Sequence, residues 1–134
     1  MSQKIKRSEQ REEVLKLLYE KSFHDEDVEE IFKNANLSRD YVPTSFVESE
    51  VIGVLDNLEQ IDKLIADNCK KWSINRIPVI CLSIMRIAVY EMVYVTDIDT
   101  GVAINEAVEL SKKYASEDDK SYINGILGSI ARAL

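Results

Sequence analysis

The feature that most constrains this chain is residues 77–95, IPVICLSIMRIAVYEMVYV, where only Pro78, Ser83, Arg86 and Glu91 interrupt an apolar run. The run is long enough to raise the question of a membrane span. Arg86 and Glu91 oppose that reading, because a charge near the bilayer centre costs at least about 2.5 kcal/mol. Proline at position 78 suits the first turn of a helix. Apolar residues fall on every face of the helical projection rather than in one stripe, the pattern of a helix enclosed by other helices. The stretch therefore predicts a central helix with the other segments packed around it, in an all-α fold and with no membrane association.

Composition agrees. With four glycines and two prolines in 134 residues, long helices joined by short loops are favoured over a barrel or sandwich. The 46% of hydrophobic residues argues against disorder. A chain of this length is expected to form a single domain, residues 1–134, burying about two thirds of its unfolded surface. No cleavable apolar leader follows Met1, so a cytoplasmic location is expected. Cys69 and Cys81 lack a CxxC spacing and read as buried, reduced thiols.

Charge is unevenly spread. Of the net −7, residues 1–11 carry +3 through Lys4, Lys6, Arg7 and Arg11 against Glu9, which leaves −10 on the remainder. A basic tip on an acidic body suggests an anion at the tip and a basic protein on the body; a solvated terminus on a soluble surface is the plainer alternative.

Along the chain, a first helix is expected from near residue 3 or 8 to residue 23, with Val14, Leu17 and Leu18 as its apolar stripe. Lys4, Lys6 and Arg7 sit at the positive end of the helix macrodipole and weaken the free helix by about a few tenths of a kcal/mol. A phosphate bound there would be drawn by both the side chains and the free amides. Tyr19 reads first as a core ring and second as a stacking platform for a base. His24 reads as a loop residue, and Asp25, Glu26 and Asp27 precede a short helix over residues 28–36. After a connector ending at Pro43, Ser45-x-x-Glu48 has the form of a capping box. It would open a helix reaching residue 68, with the stripe Val47, Val51, Val54, Leu58, Ile61 and Ile65. Gly53 within it costs about 1 kcal/mol relative to alanine, which marks close contact with a neighbouring helix. Trp72 is expected to fill the hinge before the central helix.

Beyond residue 95, a polar break precedes a helix over residues 102–115 with Ile104, Ala107, Val108 and Ser111 on one side. Ser116-x-x-Asp119 is a further capping signal, and Glu117, Asp118 and Asp119 suit the positive start of the last helix. That helix carries Tyr122, Ile123, Ile126, Leu127 and Ile130. Asn124-Gly125 inside it is unusual, since the pair normally marks a turn. A glycine there permits close approach by a helix or by a ligand. Arg86 in its apolar surroundings needs a carboxylate, and Glu106 and Glu91 are the candidates.

No phosphate loop, HExxH or nucleophile with a nearby histidine is present. Glu106 and Glu109 share a helix face without the histidines that an ExxH metal site uses. The expectation is a protein that is not an enzyme and uses no cofactor or metal.

Three segments in order are more specific than any one alone. They are Trp72-x3-Arg76 running into Ile84-Met85-Arg86-Ile87-Ala88-Val89-Tyr90-Glu91, then residues 102–110 (VAINEAVEL), then Tyr122-Ile123-Asn124-Gly125-Ile126-Leu127. Together with Arg11 and Leu17-Leu18-Tyr19 they resemble the NusB family of transcription antitermination factors over essentially the whole chain. The resemblance implies six to seven helices in two small bundles packed across each other. It implies binding of the single-stranded boxA element of ribosomal RNA leaders together with NusE, a small-subunit ribosomal protein, within the Nus antitermination assembly on RNA polymerase. By resemblance, the RNA contacts map to the basic start (Lys4, Lys6, Arg7 and Arg11), to Tyr19, and to Asp118 and Tyr122. Single-stranded RNA is read by aromatic stacking and by hydrogen bonds to base edges. The chain departs from the family in two places. Its basic start is thinner than the arginine-rich version of some members, and Cys81 stands where members commonly place an acid associated with the protein partner. The alternative is a helical protein-binding scaffold without direct RNA binding.

Overall fold

The computed structural model describes residues 6–23, 30, 33, 43–70 and 73–134. Six α-helices and no strand occur among them: α1 (Arg7–Lys21), α2 (Ser45–Asp56), α3 (Leu58–Asp67), α4 (Val79–Tyr94), α5 (Thr100–Tyr114) and α6 (Glu117–Ala133), with a 3-10 turn (Ile74–Arg76) before α4. His24, residues 25–27, most of the short helix expected over 28–36, the connector up to Val42, and Trp72 lie outside the described residues.

The central helix is α4. It touches each of the other five α-helices, and its buried residues include Cys81, Ile84, Met85, Ile87, Ala88 and Val89, which no single helical stripe contains. α1 and α2 pack on each other as well as on it, and so do α5 and α6. Val14, Leu17 and Leu18 of α1 join one cluster with Val51, Ile61, Ile84, Leu110 and Ile123. Each such side chain contributes about 1.5–3 kcal/mol when fully removed from water. Among the described residues, no helix is long and apolar enough to cross a membrane.

The helix expected over residues 45–68 is two helices. Asn57 closes α2 and opens α3 with φ −113° and ψ 19°, and its side-chain amide donates to the Gly53 carbonyl at 2.8 Å. A short polar side chain that bonds the backbone in this way competes with the helical ladder. The N-cap of α2 is Thr44 rather than Ser45: its Oγ1 accepts the Val47 N–H at 3.2 Å. At α6 the cap is the expected one, with Ser116 Oγ accepting the Asp119 N–H at 3.1 Å.

Gly53 has the close neighbour expected of a glycine in that position. A Cβ there would collide with the ring of Tyr90 on α4. Arg86, by contrast, binds neither Glu106 nor Glu91. Its Nε and Nη2 donate to the two carboxylate oxygens of Asp62, both at 2.8 Å, and so tie α4 to α3. Glu91 lies five residues along α4, well round the helix from Arg86, and its carboxylate is taken by Arg11.

Candidate nucleic-acid interface

The start of α1 presents two exposed cations. Lys6 is its N-cap residue and is exposed. The Arg7 guanidinium lies over the Phe46 ring, 4.0 Å from its centroid, a cation–π contact that fixes the head group while leaving it in water. Lys4 lies outside the described residues.

Arg11 is in a different environment, and the expectation that it holds a phosphate is corrected. It is 5% exposed. Its Nε and Nη2 donate to Glu91 at 3.0 and 2.9 Å, and Nη1 is 3.7 Å from Glu106. Arg7, Arg11, Val14 and Leu18 follow one another at helical spacing, so Arg11 continues the apolar stripe into the core. Glu50 of α2 is also buried there, beside Glu91, and its Oε1 has no hydrogen-bond partner. Burial first, and the Glu91 carboxylate second, push the Glu50 carboxyl up to about 10, so it is neutral at physiological pH.

Tyr19 is not a core ring. It is 40% exposed and meets Phe23 edge-on, with centroids 4.9 Å apart. It shares a face of α1 with Glu12 and Lys16. Glu12 accepts hydrogen bonds from Lys113 Nζ and the Tyr114 hydroxyl, both at 2.7 Å, which hold its carboxyl below the usual range. The end of α5 therefore stands against the middle of α1, and brings the exposed Lys112 and Lys113 to this side. Sequence reasoning passed over these two lysines; their signal was a cationic pair in a last helical turn, where the dipole favours it.

At the start of α6, Asp118 is exposed and Tyr122 half-buried. The Tyr122 hydroxyl points inward to Cys69 of the α3 end, and burial together with the Cys69 thiol pushes it up to about 12. The ring is left as a wall. Cys81 is fully buried; burial first, and the Asp119 charge second, push the thiol up to about 11. With no exposed surface, Cys81 presents nothing to a partner.

Asp118 and Tyr122 are brought into one groove of about 700 Å³, with Asn68, Lys70, Gly125 and Arg132. Arg7 instead borders a separate depression of about 500 Å³ beside Phe46, Tyr90 and Tyr94. The basic start and the Tyr122 groove are two places on the surface.

The sequence model of the NusB family matches residues 8–132. The chain belongs to the NusB family. It is similar to the transcription antitermination protein NusB of Clostridium novyi, with 38% identity over 133 residues that cover 96% of this chain and 100% of the relative. It is also similar to NusB of Thermoanaerobacter sp., with 40% identity over 129 residues covering 96% and 91%. Among solved structures, T. maritima NusB superposes with a TM-score of 0.85 at 35% identity, covering 97% of this chain and 93% of that one. The NusB fold assigned to this chain thus rests on both sequence and shape.

Proposed function

We propose that this chain is a transcription antitermination factor rather than an enzyme. It binds boxA-type single-stranded RNA jointly with a NusE-type ribosomal protein, in the Nus assembly on RNA polymerase in the cytoplasm. The observation that carries this reading is the match along nearly the whole chain to relatives named for transcription antitermination.

The exposed groups fit the task. Lys6 and Arg7 at the start of α1 hold phosphates, aided by free amides and the helix dipole. Tyr19 and Tyr122 offer ring faces for stacking, and the Asp118 carboxylate accepts from base amino groups, interactions that carry sequence information where phosphate binding does not. Arg11 has no part in this surface, because its charge is met inside the fold. The acidic body, −10 outside residues 1–11, suits a basic ribosomal protein.

Titration with a short boxA-type RNA and a scrambled RNA of equal length tests the reading. Preference for the boxA-type strand is expected; equal or absent binding of both contradicts it. Replacing Lys6 and Arg7 by glutamine should weaken both RNAs alike. It should also flatten the slope of log affinity against log salt by about 0.7 for each phosphate that the variant no longer holds.

A further inference from the structure

Three helix ends meet at the depression beside Phe46. Its lining is drawn from Arg7 at the start of α1, from the first turns of α2, and from the end of α4 and the residues just beyond it. A helix start leaves N–H groups without helical partners and carries the positive end of the dipole; a helix end leaves carbonyls and carries the negative end. The depression therefore has two unlike walls. Arg7 adds a cation to the first, its guanidinium held over the Phe46 ring. Asp97 adds an anion to the second, where the last turn of α4 has no basic residue. Both are exposed, and among the described residues neither is in an ion pair. Opposite charges thus border one depression without touching each other.

The floor supplies a second, independent observation. Glu50 is the one buried member of the lining, 2% exposed, and its Oε1 has no hydrogen-bond partner. Buried polar atoms are nearly always paired, and one left unpaired is costly. Being neutral, the Glu50 carboxyl can donate as well as accept and brings no charge of its own. Above it, the rings of Tyr90 and Tyr94 stack with centroids 5.7 Å apart and planes 25° from parallel, an aromatic wall for a flat group to lie against. At about 500 Å³ the space suits a small molecule.

We infer that this depression binds a free α-amino acid with an aromatic side chain: its carboxylate lies between Arg7 and the start of α2 above Glu50, its ammonium at the end of α4 beside Asp97, and its ring against Tyr94. Charge decides the class. A phosphate would gain Arg7 but meet Asp97 as a like charge, and a simple amine would gain Asp97 but meet Arg7. A ligand carrying both charges is matched on both walls and discriminated from those carrying one. The guanidinium grips a carboxylate as a planar fork. The inference stands apart from the RNA-binding reading and is tested without RNA.

Calorimetric titration of the full chain separates the possibilities. The probes are L-phenylalanine, phenylacetate (no ammonium), phenethylamine (no carboxylate) and inorganic phosphate. L-phenylalanine should bind with a Kd of about 1 mM or tighter, the range open to so small a ligand. Phenylacetate and phenethylamine should each bind at least about tenfold more weakly, because each forfeits one charge-assisted contact. Arg7→Gln and Asp97→Asn alter exposed side chains, so the Tm of the free chain should hold while L-phenylalanine weakens by about tenfold in each. No binding of L-phenylalanine overturns the inference. So does equal affinity for phenylacetate, or wild-type affinity in either variant. Phosphate binding that depends on Arg7, with none of the amino acid, also overturns it and leaves the depression to the RNA backbone. None of these outcomes touches RNA binding by the wild-type chain.

Discussion

Glu50 lies beside Glu91 inside the core, 2% and 1% exposed, where burial and the Glu91 carboxylate keep the Glu50 carboxyl protonated. Arg11 faces them from α1, Tyr90 lies beside them on α4, Glu106 approaches from α5, and Arg7 adds its field from the helix start. The Arg11 charge is balanced by Glu91, and Glu50 stays neutral.

That arrangement sets a pH dependence. The folded carboxyl of Glu50 is pushed up to about 10 from an ordinary 4.5. The folded chain therefore binds this proton more tightly than the unfolded chain. Its stabilising contribution is complete below the ordinary value and is lost as pH rises toward the folded one, by up to about 1.4 kcal/mol per pH unit. Glu50→Gln keeps the shape and a donor without titrating. In urea unfolding at pH 5, 7 and 9, the variant should lose less stability with rising pH than the wild type. Parallel pH profiles would contradict a neutral Glu50 in the folded core.

Arg11→Met leaves Glu91 buried without its cation. The expected loss is about 3–5 kcal/mol, read as a shift of the urea midpoint. A midpoint within error of the wild type would show that Arg11 is dispensable to the core and free to act elsewhere.

Asp62→Asn tests the tie between α3 and α4. Both partners are partly exposed, so the cost should be smaller, about 1–2 kcal/mol for hydrogen bonds to a charged group near the surface. Glu106→Gln should leave Arg86 unaffected. If Asp62→Asn leaves the urea midpoint unchanged, the Arg86 assignment fails.

Gly53→Ala drives a methyl into the Tyr90 ring. Overpacking of this kind costs about 1–3 kcal/mol, and a thermal melt should show it. An unchanged or raised Tm would mean that α2 and α4 are packed loosely enough at Gly53 to admit a methyl.

Residues 77–95 were legible as the central helix because their apolar pattern has no preferred face, and α4 has neighbours all round it. Gly53 was legible for a similar local reason, being a helix breaker inside an unbroken stripe. The break at Asn57 was hidden, since Val54 and Ile61 keep their helical spacing across it. Arg11 misled because a charge near a basic terminus looks like surface, although its place in line with Val14 and Leu18 already put it on the buried face. Arg86 needed a carboxylate, as reasoned, but Asp62 lies 24 residues away on another helix, and only packing decides among distant acids. Tyr19 fell on the exposed side because Leu15, Leu17 and Leu18 already occupy the buried face of α1. The Tyr122 groove required α3 and α6 to come together, which no local pattern encodes.

The central claim, joint binding of RNA and a basic ribosomal protein, is tested most directly by measuring the affinity for boxA-type RNA with and without a NusE-type protein, and that protein's affinity with and without RNA. Linkage requires that each partner tighten the other by the same factor. A mutual enhancement of at least about fivefold is expected, within the usual range of such couplings. Affinities that are the same whether or not the other partner is present would contradict it.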